Sequence, residues 1–96
     1  MQEPVEKYQR RVLIVDDDAL QLRAVTRLSR RDPRIELLLA SNPIDALLMV
    51  GAQRPDVVIL DVFMPGMDGF EVCRRIKANP ETRDIQIVLA SALTAS

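Results

Sequence analysis

The sequence predicts an α/β domain built on a parallel sheet, and three observations carry that prediction. Short aliphatic runs alternate with longer segments of helical periodicity, in the order strand, helix, strand, helix, strand, helix, strand. The run Val57-Val58-Ile59-Leu60 has no polar side, as a strand covered on both faces requires. Two aliphatic runs end directly in acid, Val12–Val15 in Asp16-Asp17-Asp18 and Val57–Leu60 in Asp61. Those are the strand ends at which open α/β sheets carry their ligand chemistry. Parallel strands in this order are joined by right-handed crossovers.

Taken in order, residues 1–10 are polar, carry Pro4 and read as a flexible leader, and Val12–Val15 form the first strand. Asp18 starts a helix, with Gln21 at capping-box spacing and Leu20, Ala24, Val25 and Leu28 marking its apolar side. The opposite side is basic, with Arg23, Arg27, Arg30, Arg31 and Arg34, and charge at that spacing is first of all a solvated face. Asp32-Pro33 breaks the helix, and Ile35–Ala40 gives the second strand. Asn42-Pro43 opens a second helix with Asp45 in its first turn, which runs to a stop at Gly51. Pro55 introduces the third strand, which ends at Asp61 before the Pro65-Gly66 turn. Asp68 caps the third helix, with Glu71 at the reciprocal capping-box position and Phe70, Cys73 and Ile76 facing the core. Asn79-Pro80 ends it, Ile85–Ala90 is the fourth strand, and Ser91 follows at the edge position that Asp61 holds on strand three.

Composition narrows the chemistry. The 96 residues suffice for one small domain with a single core, 48% of them apolar. A net charge of −1 advertises no nucleic-acid surface. Cys73 is the sole cysteine, which excludes an intramolecular disulfide and suits a reducing cytoplasm. No apolar run approaches the roughly 18 residues of a membrane helix, and Met1-Gln2-Glu3-Pro4 does not begin a signal peptide. A soluble cytoplasmic domain is expected. Histidine is absent, so His-based acid–base work, His-activated nucleophiles and His-ligated metals are excluded within the chain. An Asp nucleophile survives that restriction, because it is ionised without help at neutral pH.

If strands one and three are neighbours, Asp16, Asp17 and Asp61 share one pocket. Two like charges about 4 Å apart repel by roughly 4 kcal/mol at an effective dielectric near 20. Either protonation or a divalent cation must offset this. All-oxygen ligands favour Mg²⁺ over zinc or copper. A glycine-rich phosphate loop is missing after strand one, where Asp-Asp-Asp stands instead, so a dinucleotide site is not expected.

From Arg11 to Leu93 the chain resembles the response-regulator receiver domains of two-component signalling. The resemblance rests on the acidic pair after strand one, Asp61 followed by Met64-Pro65-Gly66-Met67-Asp68-Gly69, and a small hydroxyl residue ending strand four. It implies a doubly wound, flavodoxin-like sheet of order 2-1-3-4, with the switch point between strands one and three and strand five missing. Asp61 is similar to the phosphoacceptor, and Asp16 and Asp17 to the Mg²⁺-binding acids. Phe63 resembles the position that lends its backbone carbonyl to the metal, and Ser91 the switch hydroxyl. Pro65 and Gly66 resemble the turn that shapes the pocket. The partner implied is a sensor histidine kinase or histidine phosphotransfer protein, with no membrane or direct nucleic-acid contact.

The sequence departs from the family after Ser96, where a fifth strand with its lysine and a fifth helix would follow. Lys7 and Lys77 are not placed to substitute for that lysine. Residues 11–96 are therefore expected to be an incomplete receiver domain whose fourth strand forms an open edge, and a homodimer or element exchange through that strand is expected. Phe63 and Leu93 stand at positions that influence phosphoryl hydrolysis in the family, and both are apolar, which predicts slow autodephosphorylation. Two competing readings differ in class. A haloacid-dehalogenase-like phosphatase needs a second acid two residues after its nucleophile, where this chain has Phe63. A receiver-like interaction module that binds partners without productive phosphorylation would not need the set Asp16, Asp17, Asp61 and Ser91.

Overall fold

The computed structural model of the chain describes residues 9–29 and 31–90. Leader residues 1–8, Arg30, Ser91 and Leu93 lie outside the described residues, as does the side chain of Leu28. The elements are β1 (Arg10–Val15), α1 (Ala19–Ser29), β2 (Ile35–Ala40), α2 (Pro43–Gln53), β3 (Val57–Asp61), α3 (Gly69–Ala78) and β4 (Gln86–Ala90). All strand pairs are parallel and the sheet order is β2-β1-β3-β4, the doubly wound order expected. β1 begins two residues earlier than the aliphatic run suggests, because the Arg10 backbone N–H donates to the Arg34 carbonyl, the Arg11 carbonyl accepts the Asp56 N–H, and the Arg11 N–H donates to the Asp56 carboxylate.

The core lies on one face of the sheet. Leu13, Val15, Val58 and Leu60 point to it from β1 and β3, and Ala46 and Val50 of α2 with Val72 and Ile76 of α3 close over them. These strand positions alternate, as the two-residue period of a strand demands. The other face carries Ile14 and Ile59, which line a cavity together with Leu22 and Val25 of α1. No residue of α1 with a described side chain is fully buried, so this layer is the looser of the two.

Several helix faces differ from expectation. In α1 the inward residues are Leu22 and Val25, while Leu20 and Ala24 face solvent. Asp18 does cap α1, but its carboxylate accepts the Leu20 N–H at 2.9 Å, and Gln21 turns toward the sheet end. In α3 the buried line is Gly69, Val72 and Ile76, with Cys73 beside it, and Phe70 is about half exposed. A repeat of three drifts off a helix of 3.6 residues per turn, and the line that stays inward is spaced three and four. Asp68 accepts the Glu71 N–H at 2.9 Å as an N-cap should. The Glu71 carboxylate does not reach back; it pairs with Arg74 and Arg75 one turn on. Helix α2 passes through Gly51 to Gln53 and ends on Arg54 in the left-handed region (φ 47°), since Pro55 forbids a further helical turn.

β4 forms one margin of the four-stranded sheet among the described residues, and Val88 on it is 46% exposed. Lys77 Nζ donates to the carbonyls of Arg83 (2.8 Å) and Ile85 (2.6 Å), tying α3 to the entry of β4. Its ammonium is thereby fixed at the sheet end opposite Asp61.

Candidate functional site: an acidic nest at the switch point

The sheet register sets the site. Val15 of β1 pairs with Leu60 of β3, so the next residues out, Asp16 and Asp61, leave adjacent strands side by side. β1 turns away toward β2's side through α1 while β3 turns toward α3, which makes this gap the point where the winding reverses. Carboxylate oxygens of Asp16, Asp17 and Asp61 all lie within 4.8 Å of one another. Asp16 is buried, Asp61 half-buried and Asp17 exposed, so the cluster opens to solvent on one side.

Local turns hold these acids. The Asp16 backbone N–H donates to the Ala40 carbonyl at 3.1 Å, and its carboxylate accepts the Asp18 N–H at 2.9 Å. The Asp61 carboxylate accepts the Phe63 N–H at 3.1 Å, which places Phe63 in the same loop with its side chain in solvent. Val62 N–H donates to the Ala90 carbonyl, extending the β3–β4 ladder one residue past the nest. The loop then turns at Gly66 (φ +91°), a conformation side-chain-bearing residues rarely adopt, and Met64 packs beneath it.

Burial pushes the Asp16 carboxyl above its ordinary 3.8; the Asp18 N–H pulls it back, and the charges of Asp61, Asp17 and Asp18 push it up again. Asp16 therefore gives up its proton less readily than an ordinary Asp, and a cation would offset the charge gathered here. Three hard oxygen donors with solvent on one side suit a cation that keeps some of its waters, as Mg²⁺ does. Beneath the acids a cavity of about 290 Å³ runs between α1 and the sheet, lined by Asp16, Gln21, Leu22, Val25, Ile59 and Asp61 among others.

Asp16, Asp17 and Asp61 are thus brought together as predicted, Phe63 adjoins them, and Ser91 falls outside the described residues. Two residues to which the sequence assigned no part in the pocket also adjoin it. Gln21 faces the cavity beside Asp16 and Asp61. Gly69, the first residue of α3, is buried against the phosphoacceptor candidate's own backbone: a Cβ there would lie 2.7 Å from the Asp61 carbonyl oxygen and 3.0 Å from Val62 Cα. A glycine in a first helical turn directly after its cap is the signal that could have marked it, since glycine is a poor helix former.

Comparison with known proteins is decisive at this point: the response regulator receiver domain family matches residues 12–96. This chain belongs to that family. The receiver domain is 44% identical over 86 residues to response regulator PleD of Caulobacter vibrioides, covering 86% of the chain and 18% of PleD. It is 42% identical over 81 residues to transcriptional regulatory protein AfsQ1 of Streptomyces coelicolor, covering 84% of the chain and 34% of AfsQ1. The chain thus spans about a third or less of these relatives. Among solved structures, the N-terminal domain of a response regulator receiver protein from Methanoculleus marisnigri superimposes with a TM-score of 0.81 at 31% identity, over 90% of this chain and 69% of that one. The receiver domain of a DNA-binding response regulator from Colwellia psychrerythraea gives 0.79 at 38% identity, over 91% and 72%. Receiver domains are phosphoacceptor signalling domains rather than enzymes of the ordinary kind, and they work with histidine kinases or phosphotransfer proteins. No helix among the described residues is long and apolar enough to cross a membrane.

Proposed function

We propose that Asp61 accepts a phosphoryl group from the phosphohistidine of a sensor histidine kinase or histidine phosphotransfer protein, in a Mg²⁺-dependent step. The observation that carries this reading is the gathering of three carboxylates within 4.8 Å at the switch point of a parallel sheet. Asp16, Asp17, Asp61 and the Phe63 carbonyl would hold the metal, with Asp17 in direct contact. When bound, Mg²⁺ neutralises charge on the incoming phosphoryl oxygens and on the acids around them.

The residues' own part is positioning. One Asp61 oxygen accepts the Phe63 N–H, which fixes the plane of the carboxylate. The other oxygen attacks phosphorus as the P–N bond to the donor imidazole breaks, giving an acyl phosphate and returning a nitrogen lone pair to the partner's histidine. The product carries about −1.5 to −2 charges. Ser91 would donate a hydrogen bond to it and couple the loop that follows to phosphorylation. The domain works in the cytoplasm and itself touches neither membrane nor nucleic acid. The margin that β4 forms among the described residues, with Val88 exposed, supports a second proposal: the chain pairs, or exchanges elements, with another copy through β4.

Labelling by a small phosphodonor tests the first proposal. Incorporation should require Mg²⁺, vanish in Asp61→Asn, and be acid-stable but alkali-labile as an acyl phosphate is. Equal labelling of wild type and Asp61→Asn would place the acceptor elsewhere.

A further inference from the structure

The turn between β1 and α1 leaves one polar side chain without a structural task. At capping-box spacing Gln21 should accept the Asp18 backbone N–H, but the Asp16 carboxylate takes that N–H at 2.9 Å. The Asp18 carboxylate in turn accepts the Leu20 N–H at 2.9 Å, so the helix is capped without Gln21. The Gln21 carboxamide makes no hydrogen bond to any described residue. It lines instead the cavity of about 290 Å³ beneath the acids, together with Asp16 and Asp61. The rest of that lining is apolar: Ile14, Val15, Leu22, Val25, Ile59 and Ala90. Ionised carboxylates only accept hydrogen bonds. Among the described residues, the Gln21 NH₂ is therefore the one side-chain donor that this cavity has.

We propose, on the reading of Asp61 as the phosphoacceptor, that Gln21 contacts the phosphoryl group: its carboxamide NH₂ donates to an oxygen of the group carried by Asp61. Transfer to Asp61 brings three strongly accepting oxygens and about −1.5 to −2 charges into a place that already holds two other acids. Exposed Asp17 draws a cation to the solvent side of the nest. An oxygen on the cavity side then needs a donor of its own, and Gln21 is the side chain there that has one. A neutral carboxamide suits the place, because it offers two N–H groups without competing with the cation for the acids. The space is sufficient as well, since a water occupies about 30 Å³ of liquid and the cavity is several times that size. The bond forms as the phosphoryl group arrives and is absent before it, so it favours transfer and not merely binding. Gln21 is exposed, which puts its effect at the low end for a bond to a charged acceptor, about three- to tenfold in rate.

Phosphoramidate, whose P–N bond imitates that of a phosphohistidine, tests this on the full chain in Mg²⁺. Gln21→Leu keeps the bulk of an exposed side chain and removes its donor. It should take up label about three- to tenfold more slowly than wild type, while binding Mg²⁺ equally well before the phosphodonor is added. Nitrogen–proton correlation spectra supply a direct readout. The Gln21 carboxamide resonance, assigned by its loss in Gln21→Leu, should shift when wild type is phosphorylated and stay in place in Asp61→Asn. The carboxamide of Gln86, at the opposite sheet end where β4 begins, should not move in either. Equal labelling rates, or a Gln21 resonance that phosphorylation leaves in place, would overturn the contact and leave Asp61 as phosphoacceptor. Slower labelling accompanied by an equal loss of Mg²⁺ affinity would overturn it too, because the substitution would then act on the acids. A wild-type chain that takes up no label at all would overturn the assignment of Asp61 and this contact with it.

Discussion

Replacing Asp61 by Asn removes one charge from the acidic nest and keeps its shape, because the Asn side-chain oxygen can still accept the Phe63 N–H. The expected result is a more stable protein when no divalent cation is present. Carboxylate oxygens of the three acids lie within 4.8 Å, and at an effective dielectric near 20 each pair of full charges at that separation repels by roughly 3 kcal/mol. Asp17 is exposed, so water and salt screen its share heavily. Asp16 is buried and keeps more of its own. A net gain of about 1 to 2 kcal/mol remains for Asp61→Asn in EDTA, or roughly 5 to 15 °C in Tm for a domain of this size.

Urea unfolding in EDTA and in Mg²⁺ reads this out, with both proteins measured side by side. Magnesium at tenfold its dissociation constant adds about 1.4 kcal/mol to whichever native state binds it, so the gap between variant and wild type should narrow by about that amount. Lowering the pH in EDTA should narrow it as well. Asp16 has a folded pKa above its ordinary 3.8, so its ionisation destabilises the native state, and that penalty is relieved as the pH falls through the raised value toward 3.8. A variant no more stable than wild type in EDTA would show that the acids do not repel appreciably. Equal Mg²⁺ stabilisation of both proteins would show that the cation binds elsewhere.

Gly69→Ala should destabilise by about 1 to 3 kcal/mol, since its Cβ meets backbone that cannot swing aside, and should lower Mg²⁺ affinity by displacing Asp61; Gly51→Ala, with open space around it, should stabilise by about 0.5 to 1 kcal/mol. Wild-type unfolding free energy and Mg²⁺ affinity in Gly69→Ala would refute the close-packing argument. Glu71 has its carboxyl held below the ordinary 4.5 by hydrogen bonds from Arg74 and Arg75, so it contributes stability above 4.5 that is lost as the pH falls through its folded value. Glu71→Gln should therefore differ most from wild type above pH 4.5 and converge with it in acid, and a gap that widens in acid would contradict the assignment. Phe63 cannot hydrogen-bond an attacking water, so phosphorylated protein should lose its label slowly, over minutes or longer, and Phe63→Asn should shorten that time; a half-life of seconds in wild type would refute the reading.

Much of the site could be read from the chain because it depends on strand ends, and strand ends are written locally. An aliphatic run followed at once by acid fixes where β1 and β3 stop, and parallel register then leaves Asp16 and Asp61 no choice but to be neighbours. Helix faces were harder, because the sequence does not say what lies opposite. Leu20 looks like a core residue until α1 is seen to rest on the sheet by Leu22 and Val25, which leaves the first turn in solvent. Glu71 fits a capping box by spacing, but two arginines a turn later offer a stronger, charge-assisted partner than a backbone N–H. Gly51 looks like a helix stop, yet nothing compels one there; Pro55 does, and Arg54 takes the left-handed conformation in its place. Gly69 could not be valued without coordinates, because its importance lies in what a missing Cβ would strike.

The same register explains why the nest cannot relieve its own repulsion by moving. Asp16 and Asp61 are each one residue beyond Val15 and Leu60, which are essentially fully buried and paired with one another. Separating the carboxylates by strand movement would open the best-packed layer of the molecule, where the loss of a buried methylene already costs on the order of 1 kcal/mol. Gly69 closes the other escape, since α3 begins in contact with the Asp61 carbonyl and holds that strand end from behind. The packing is looser on the α1 side, where half-buried Leu22 and Val25 line a cavity between the helix and the sheet. Moving the strand ends is therefore the least accessible way to relieve charge in the nest. On the proposed function, a change of charge at Asp61 would then be relieved by its surroundings rather than by the strand ends, which is the property a phosphorylation switch needs.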